Sequence, residues 1–278
     1  MAFNKKIELI VGDPGSGLLI SALNISFVVE RSTEEEYNTA EIVIYNAKSD
    51  TRNKILVPGK NVTLKAGYED EGVGTIFIGT ITKSVSVQDN TEWTTTISAQ
   101  DIGSNKNPLE YGIISLKYKS NVSLSAVFSD VATTLNIPIA GIENVAGIIL
   151  RNGFVQCSNI TALINRLKKI LSKNELELYF DSSELVIYKK YTQVSRFGAV
   201  RISPQSGLIG SVSTIIDENE QDKKKRISFT SLLNYRIRPA GVVSVVSNDV
   251  KGAYIVEKVT FEGDNLDGGF IATVEAVE

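Results

Sequence analysis

The 278-residue chain has no histidine, one cysteine (Cys157) and one tryptophan (Trp93). Without histidine, the commonest general base near neutral pH and the commonest zinc ligand are both missing. Most hydrolase triads and metal sites are therefore excluded, while carboxylate or lysine chemistry stays open. A lone cysteine forms no internal disulfide and carries no signal about redox compartment. No apolar run approaches the roughly 18 residues of a transmembrane helix. The apolar segment nearest the start, Ile7 to Val11, is too short for the core of a signal peptide, so the chain is expected to be made and kept in a cytoplasm. Strong charge is absent too: the net charge is −3, where a dedicated nucleic-acid binder is normally basic.

What is present is enough apolar sequence, 42% of residues, for sizeable cores, in a length that suits one large domain or two to three small ones. A β-type pattern occurs twice. The first copy runs through Ile55–Gly59, Val62–Leu64, Ile78–Ile81 and Thr96–Ala99. The second runs through Ile237–Gly241, Val243–Val245, Ile255–Val259 and Thr273–Ala276. Pro58 and Pro239 lie 181 residues apart, as do Val62 and Val243; Ile81 and Val259 lie 178 apart, and Ala99 and Ala276 lie 177 apart. The shrinking offset predicts one strand order with shorter loops in the second copy. A duplicated module changes the symmetry that a small oligomer can present. Ser206-Gly207-Leu208 also echoes Ser16-Gly17-Leu18.

Three regions follow. Residues 1–105 read as β, with strands over Ile7–Val11, Leu23–Val29, Ala40–Tyr45, Asn61–Gly67, Thr75–Val87 and Glu92–Gln100, a polar loop over Arg31–Asn38, and a short helix after Ser49 as N-cap. Residues 106–195 change character. Leu124, Val127, Phe128, Val131 and Leu135 fall on one helical face behind Ser123 and stop at Pro138. A second helix starts near Ser158, with Ile160, Leu163, Ile164, Leu167, Ile170 and Leu171 inward. Glu175–Phe180 and Leu185–Lys190 then form a hairpin across Asp181–Glu184. Residues 196–278 are the second β copy. The expected fold is mainly β (α+β): two tandem β modules with a small inserted α/β domain.

Candidate chemistry is sparse. Gly12–Gly17 is glycine-rich but lacks the Gly-Lys-Ser/Thr of a phosphate loop and leads to a strand, so it reads as a structural turn. Glu34-Glu35-Glu36 could meet a cation, but consecutive residues on a loop tip rarely converge on one ion. Asp264 and Asp267 sit among glycines as turn residues do. Cys157 has no histidine to activate it and reads as a buried structural thiol. Arg166, Lys168, Lys169 and Lys173 read as a solvated helix face. Trp93 is either a core aromatic or an interface anchor. The sharpest feature is the loop containing Asp217, Glu218, Glu220, Asp222, Lys223, Lys224, Lys225 and Arg226, acidic first and basic second. It reads as a docking loop for a charged partner, or as a solvated hairpin whose charges block edge-to-edge aggregation. No catalytic, cofactor or metal residues are assigned.

Thr51–Gly59, Gly67-Tyr68 and Ile76–Ile81, followed by Ile202–Gly210, Ser231–Asn234 with Ile237–Pro239, Gly252–Val256 and Gly263-Asp264, resemble in order the late control D and baseplate hub family of contractile phage tails. The resemblance covers nearly the whole chain. It implies a structural, non-enzymatic virion protein: a trimeric hub at the distal end of the tail tube, assembled in the bacterial cytoplasm. The resemblance implies two tandem tail-tube-like antiparallel β-barrels with a small inserted α/β domain per chain, hence six barrels per trimer, so that a sixfold tube meets a threefold spike. The implied partners are the tube or its initiator, a trimeric spike, and the tape-measure protein and DNA passing through the lumen. Relatives in secretion systems fuse the spike to the hub chain; this one stops at Glu278, so a separate spike is expected. Some hubs of flexible tails bind an iron–sulfur cluster, which one cysteine cannot hold, and no cofactor is expected. The rival readings are a tail-associated cell-wall hydrolase, disfavoured by the missing histidine, and a carbohydrate- or receptor-binding β module, disfavoured by loops poor in aromatics.

Overall fold

The structure is a computed structural model that describes residues 4–13, 15–33, 37–101, 113–182, 184–192, 198–215 and 224–278. Glu34, Glu35, Glu36, Asp217, Glu218, Glu220, Asp222 and Lys223 lie outside the described residues.

The first β module contains β1 (Lys5–Val11), β2 (Leu18–Ile20), β3 (Ile25–Ser32), β4 (Thr39–Tyr45), the short helix α1 (Ser49–Ile55), β5 (Asn61–Tyr68), β6 (Gly72–Asp89) and β7 (Glu92–Gln100). An α/β unit follows: β8 (Ile114–Tyr118), β9 (Val122–Ser123), α2 (Leu124–Leu135), β10 (Ile139–Ala140), β11 (Ile149–Leu150), β12 (Phe154–Ser158), α3 (Ile160–Ser172), β13 (Leu176–Asp181) and β14 (Glu184–Lys189). The second module contains β15 (Val200–Ile202), β16 (Leu208–Ile215), β17 (Arg226–Leu232), β18 (Val242–Val246), β19 (Lys251–Asp264) and β20 (Phe270–Val277).

Strand alternation in the first module sends Ile25, Phe27 and Val29, then Ala40, Ile42 and Ile44, then Ile97 and Ala99 into the core. The second module does the same with Ile227 and Phe229, Val259 and Phe261, and Ala272, Val274 and Ala276. The two halves share one core cluster. Phe270 is its hinge: it meets Phe27 edge-on at 6.1 Å and Tyr68 at 5.2 Å, and its carbonyl accepts the Tyr68 hydroxyl at 3.0 Å.

The ladders show the duplication directly. The first module pairs in the order β3-β4-β7-β6-β5-β1, the second in the order β16-β17-β20-β19-β18-β15. Both long strands carry a bulge at the matching place. In β6 the register shifts between Ile81, opposite Ala99, and Lys83, opposite Ser98. In β19 it shifts between Val256, opposite Ala276, and Lys258, opposite Glu275. A bulge marks where a strand bends and changes partner. The first part of each strand pairs with β5 or β18, and the rest with β7 or β20. Even a loop bond repeats: Asp101 N–H donates to Asn38 O at 3.1 Å, and Glu278 N–H to Lys225 O at 3.0 Å.

These registers correct the sequence alignment. Ala99 does match Ala276 and Val62 does match Val243, but Ile81 matches Val256 rather than Val259, because both occupy the residue before the bulge. Apolar residues every second position let the pattern slip without penalty, and only the bulge fixes it. The outermost strands also diverge: β1 runs antiparallel to β5, whereas β15 runs parallel to β18.

The mainly β class with a small inserted α/β unit is as the sequence indicates. Among the described residues, however, no ladder closes either module into a separate barrel. The outer edge of β3 is instead used by β19, with Lys258 opposite Ser32 through Asp264 opposite Ser26. This ladder fuses the modules into one thirteen-stranded sheet.

The α/β unit has its own core. Ser123 caps α2 by accepting from Ala126 N–H at 3.2 Å, and left-handed Asn136 ends it. Asn159 caps α3 by accepting from Ala162 N–H at 2.9 Å. Ser49 is not a cap: it is already helical, and Lys48 precedes it without a side-chain bond. No helix among the described residues is long and apolar enough to cross a membrane.

Candidate assembly interface

Two unpaired edges stand at opposite ends of the central run β16-β17-β20-β19-β3-β4-β7-β6. At one end, β16 pairs only with β17 among the described residues. At the other, β6 pairs with β5 only as far as Thr80, so beyond the bulge its β5 side has no strand neighbour among the described residues. The corresponding side of β19 is the one that β3 covers. Exposed edges of this kind invite another strand.

The face turned away from the core mixes hydroxyls, charges of both signs and the exposed valines Val28, Val85 and Val87. Thr94, Thr96 and Ser98 on β7, Thr260 on β19, Thr273 on β20 and Ser228 and Thr230 on β17 alternate with the buried residues. The charges on this face have both signs, with Glu30, Glu41, Glu262 and Glu275 against Lys83, Lys258 and Arg226. Lys258 lies 3.6 Å from Glu30.

A buried polar knot fastens the α/β unit to the sheet. Arg31, on β3, forms an ion pair with Asp181 at the end of β13, and both side chains are 1% exposed. Arg31 Nη1 also donates to the Ile76 carbonyl at 3.3 Å, and Arg238 Nη1 lies 3.9 Å from the other Asp181 oxygen. Asn38 bridges three segments: its Oδ1 accepts from Ser32 N–H at 2.9 Å, and its Nδ2 donates to Asp101 at 2.6 Å and to the Phe180 carbonyl at 2.9 Å. Burial pushes the Asp101 carboxyl up to about 7, opposed by the hydrogen bonds from Asn38. The Tyr179 hydroxyl donates to the Pro239 carbonyl at 3.0 Å, so the β13–β14 hairpin grips both modules.

Sequence reasoning missed this knot. It placed Arg31 in a loop and Asp181 in a turn, yet Arg31 continues the inward alternation of Ile25, Phe27 and Val29. That parity was the available signal.

A cavity of about 520 Å³ lies between this hairpin and the second module, walled by Pro138, Glu184, Tyr235 and Arg236. Arg236 stacks on Tyr235 at 4.6 Å. No group of three or more potential metal ligands occurs among the described residues.

The remaining candidates are placed as follows. Lys224 donates to the Glu278 carbonyl at 2.9 Å and lies 4.2 Å over the Tyr191 ring. Arg226 pairs with Glu257 at 3.1 Å, and the Lys225 carbonyl accepts from Glu278. The basic end of the charged loop is thus tied to the chain's own last strands. Gly12, Asp13 and Gly15–Gly17 lie in the β1–β2 turn, with Gly12 and Gly15 at positive φ. Asp264 Oδ1 accepts from Leu266 N–H at 2.7 Å in the last hairpin turn. Trp93 is half-buried beneath the Arg52 guanidinium, 3.6 Å from its ring. Cys157 is exposed, not buried, because alternation along β12 turns Phe154 inward and leaves Val155 and Cys157 outward.

The family model described as baseplate hub gp41 matches residues 6–276. No curated protein matches the sequence. Among solved structures, the tail protein from Neisseria meningitidis MC58 superposes with TM-score 0.70 at 9% identity, covering 99% of this chain and 97% of its own. The 43 kDa tail protein of prophage MuSo2 from Shewanella oneidensis gives 0.62 at 13%, covering 99% and 98%. The E. coli c3393 protein, a component of the type VI secretion system, gives 0.64 at 10%, covering 97% and 76%.

Proposed function

The chain belongs to the baseplate hub gp41 family, structural proteins of the phage tail baseplate, and from that premise we propose that it is a trimeric hub adapting a sixfold tail tube to a threefold spike. The observation that carries this reading is the paired strand order with its matching bulges in β6 and β19. Two equivalent modules per chain allow three chains to present six similar sheets, while the α/β unit, present once per chain, keeps the whole threefold.

In this reading the face turned away from the core lines the distal channel. Its side chains mix hydroxyls, charges of both signs and the exposed valines Val28, Val85 and Val87. Such a wall favours passage of DNA or a tape-measure protein over tight binding, since affinity for duplex DNA comes chiefly from phosphate neutralisation by clustered cations. One rim of the ring meets the tube or its initiator and the other meets the spike. The segment from Asp217 to Arg226 follows Ile215 at the edge of the sheet and is the proposed docking loop for one of these partners. Assembly takes place in the cytoplasm of the host. The three regions 1–105, 106–195 and 196–278 correspond to module, attached unit and module.

The test is native mass spectrometry with negative-stain imaging of the full chain at high concentration. A threefold ring with six lobes around a channel is expected, together with no tight duplex binding at physiological salt. A protein that stays monomeric at every concentration, or that binds duplex DNA at nanomolar concentration, overturns the reading.

A further inference from the structure

We propose that the free half of β6 in one copy of the chain pairs with β16 of a second copy, in the register that β19 already adopts with β3. This rests on the trimeric reading above and supplies the strands and register that it leaves open.

The argument is a transfer between equivalent positions. The bulges make Lys83, Val85 and Val87 of β6 the counterparts of Lys258, Thr260 and Glu262 of β19. Pairing with β4 and β17 makes Ser213, Thr214 and Ile215 of β16 the counterparts of Val28, Val29 and Glu30 of β3. Inside the chain, Thr260 lies opposite Glu30, Phe261 opposite Val29 and Glu262 opposite Val28. Between chains, Val85 then lies opposite Ile215, Ser86 opposite Thr214, and Val87 opposite Ser213.

Both edges have the chemistry of strands meant to be covered. Soluble proteins protect exposed edges with charge or proline. Between the charges of Lys83 and Asp89 the β6 edge reads Ser-Val-Ser-Val-Gln, and β16 contains no charge or proline, its register irregularity ending at Ser213 so that Ser213–Ile215 form a regular edge. Val85, Val87 and Ile215 are 41%, 56% and 41% exposed.

Among the described residues the two edges do not pair with each other within one chain, and six strands lie between them along the central run. A contact between different edges of identical chains is head-to-tail, and it closes into a ring when the rotation permits. Eight strands of the central run from each of three chains would give a wall of twenty-four. Ser86 and Thr214 take the places that Phe261 and Val29 fill inside the chain, so the junction between chains is the less apolar of the two and the one that separates first.

Paired cysteines in the full chain test this, in a Cys157→Ser background because Cys157 is exposed. Val87→Cys with Ser213→Cys, and Ser86→Cys with Thr214→Cys, sample both kinds of opposed position in an antiparallel ladder. Ser86→Cys with Ser213→Cys points to opposite faces and is the control. Circular dichroism of each variant verifies folding, and native mass spectrometry of the uncrosslinked chain reports assembly independently. Matched pairs linking at least tenfold faster than the control, in a ladder ending at trimer, is the expected result. A non-covalent trimer without matched-pair linkage overturns the junction and leaves the trimeric reading standing. Matched linkage running past trimer supports the junction and overturns threefold closure. A chain that stays monomeric and unlinked at all concentrations overturns both.

Discussion

The Arg31–Asp181 pair offers the sharpest test of how the α/β unit is held. Both side chains are 1% exposed, so removing either leaves a charge stranded in the interior. Breaking a buried pair from one side costs about 3–5 kcal/mol, whereas replacing both partners with apolar groups is often close to neutral. The surroundings set an order between the two single variants. In Arg31→Met, Asp181 keeps Arg238 at 3.9 Å and the Ser182 hydroxyl at 3.3 Å, so the cost falls near 3 kcal/mol by the same estimate. In Asp181→Leu, the Arg31 guanidinium keeps only the Ile76 carbonyl at 3.3 Å and the electrostatic pull of buried Asp101, and its Nε already has no partner; the cost lies nearer about 5 kcal/mol. The double variant recovers most of the loss, giving a coupling of several kcal/mol. For a chain of this size, about 3–5 kcal/mol lowers the melting temperature by on the order of 10 °C. Thermal and urea unfolding followed by circular dichroism reads all four proteins. If the singles cost under about 1 kcal/mol each and the double is their sum, water reaches the pair and the knot is not the fastening described.

Three further outcomes follow from the same geometry. Asp101 titrates in the folded chain near 7, above its ordinary 3.8. The folded state therefore holds the proton more tightly, and this contribution is complete below 3.8 and is lost as pH rises through about 7. Wild type should lose up to about 3 kcal/mol relative to Asp101→Asn between pH 5 and 8, and a pH-independent difference in chemical denaturation would contradict it. A Cβ at Gly74 would overlap the Tyr235 ring, which lies against that backbone from the other module. Gly74→Ala is expected to cost about 1–3 kcal/mol and to be largely rescued by Tyr235→Ala, with equal melting of the single and double variants as the adverse result. At the proposed junction, Val87→Lys with Ser213→Lys should raise the trimer dissociation constant, and Val87→Lys with Ser213→Glu should restore it, each pair contributing about 0.2–1 kcal/mol per junction; analytical ultracentrifugation decides.

The elements that could be read from sequence are those whose pattern has only one solution. The apolar faces of α2 and α3 repeat at helical spacing, and Leu124, Val127, Phe128, Val131, Leu163, Ile164 and Leu167 are all buried as expected. The strand pattern is equally plain, but its period of two is ambiguous to any even shift and leaves odd shifts hidden when a bulge intervenes. That is why Ile81 was matched three residues too far along. Arg31 was hidden for a related reason: a charged residue after an apolar strand normally marks the surface, and nothing local announces that Asp181, 150 positions away, arrives to neutralise it. The β3–β19 ladder was invisible for the same cause, since pairing partners so far apart leave no mark in either strand alone.

The positions where the two modules differ bear on symmetry more than those where they agree. The loop bond between Asn38 and Asp101 recurs as that between Lys225 and Glu278, so these places are equivalent. In the first module the α/β unit covers it, burying Asn38 and Asp101 and drawing in the Phe180 carbonyl. In the second, Lys225 and Glu278 face solvent. In the trimeric ring proposed above, the covered and open versions of this site seen among the described residues would alternate, three of each. The open version is flanked by Lys224 and Arg226, the basic end of the charged loop, in the place where the first module receives the α/β unit. A partner with threefold symmetry can distinguish the two versions, whereas a sixfold partner must contact the surfaces they share. On this argument, substitutions at Lys225 should disturb the threefold neighbour and spare the tube.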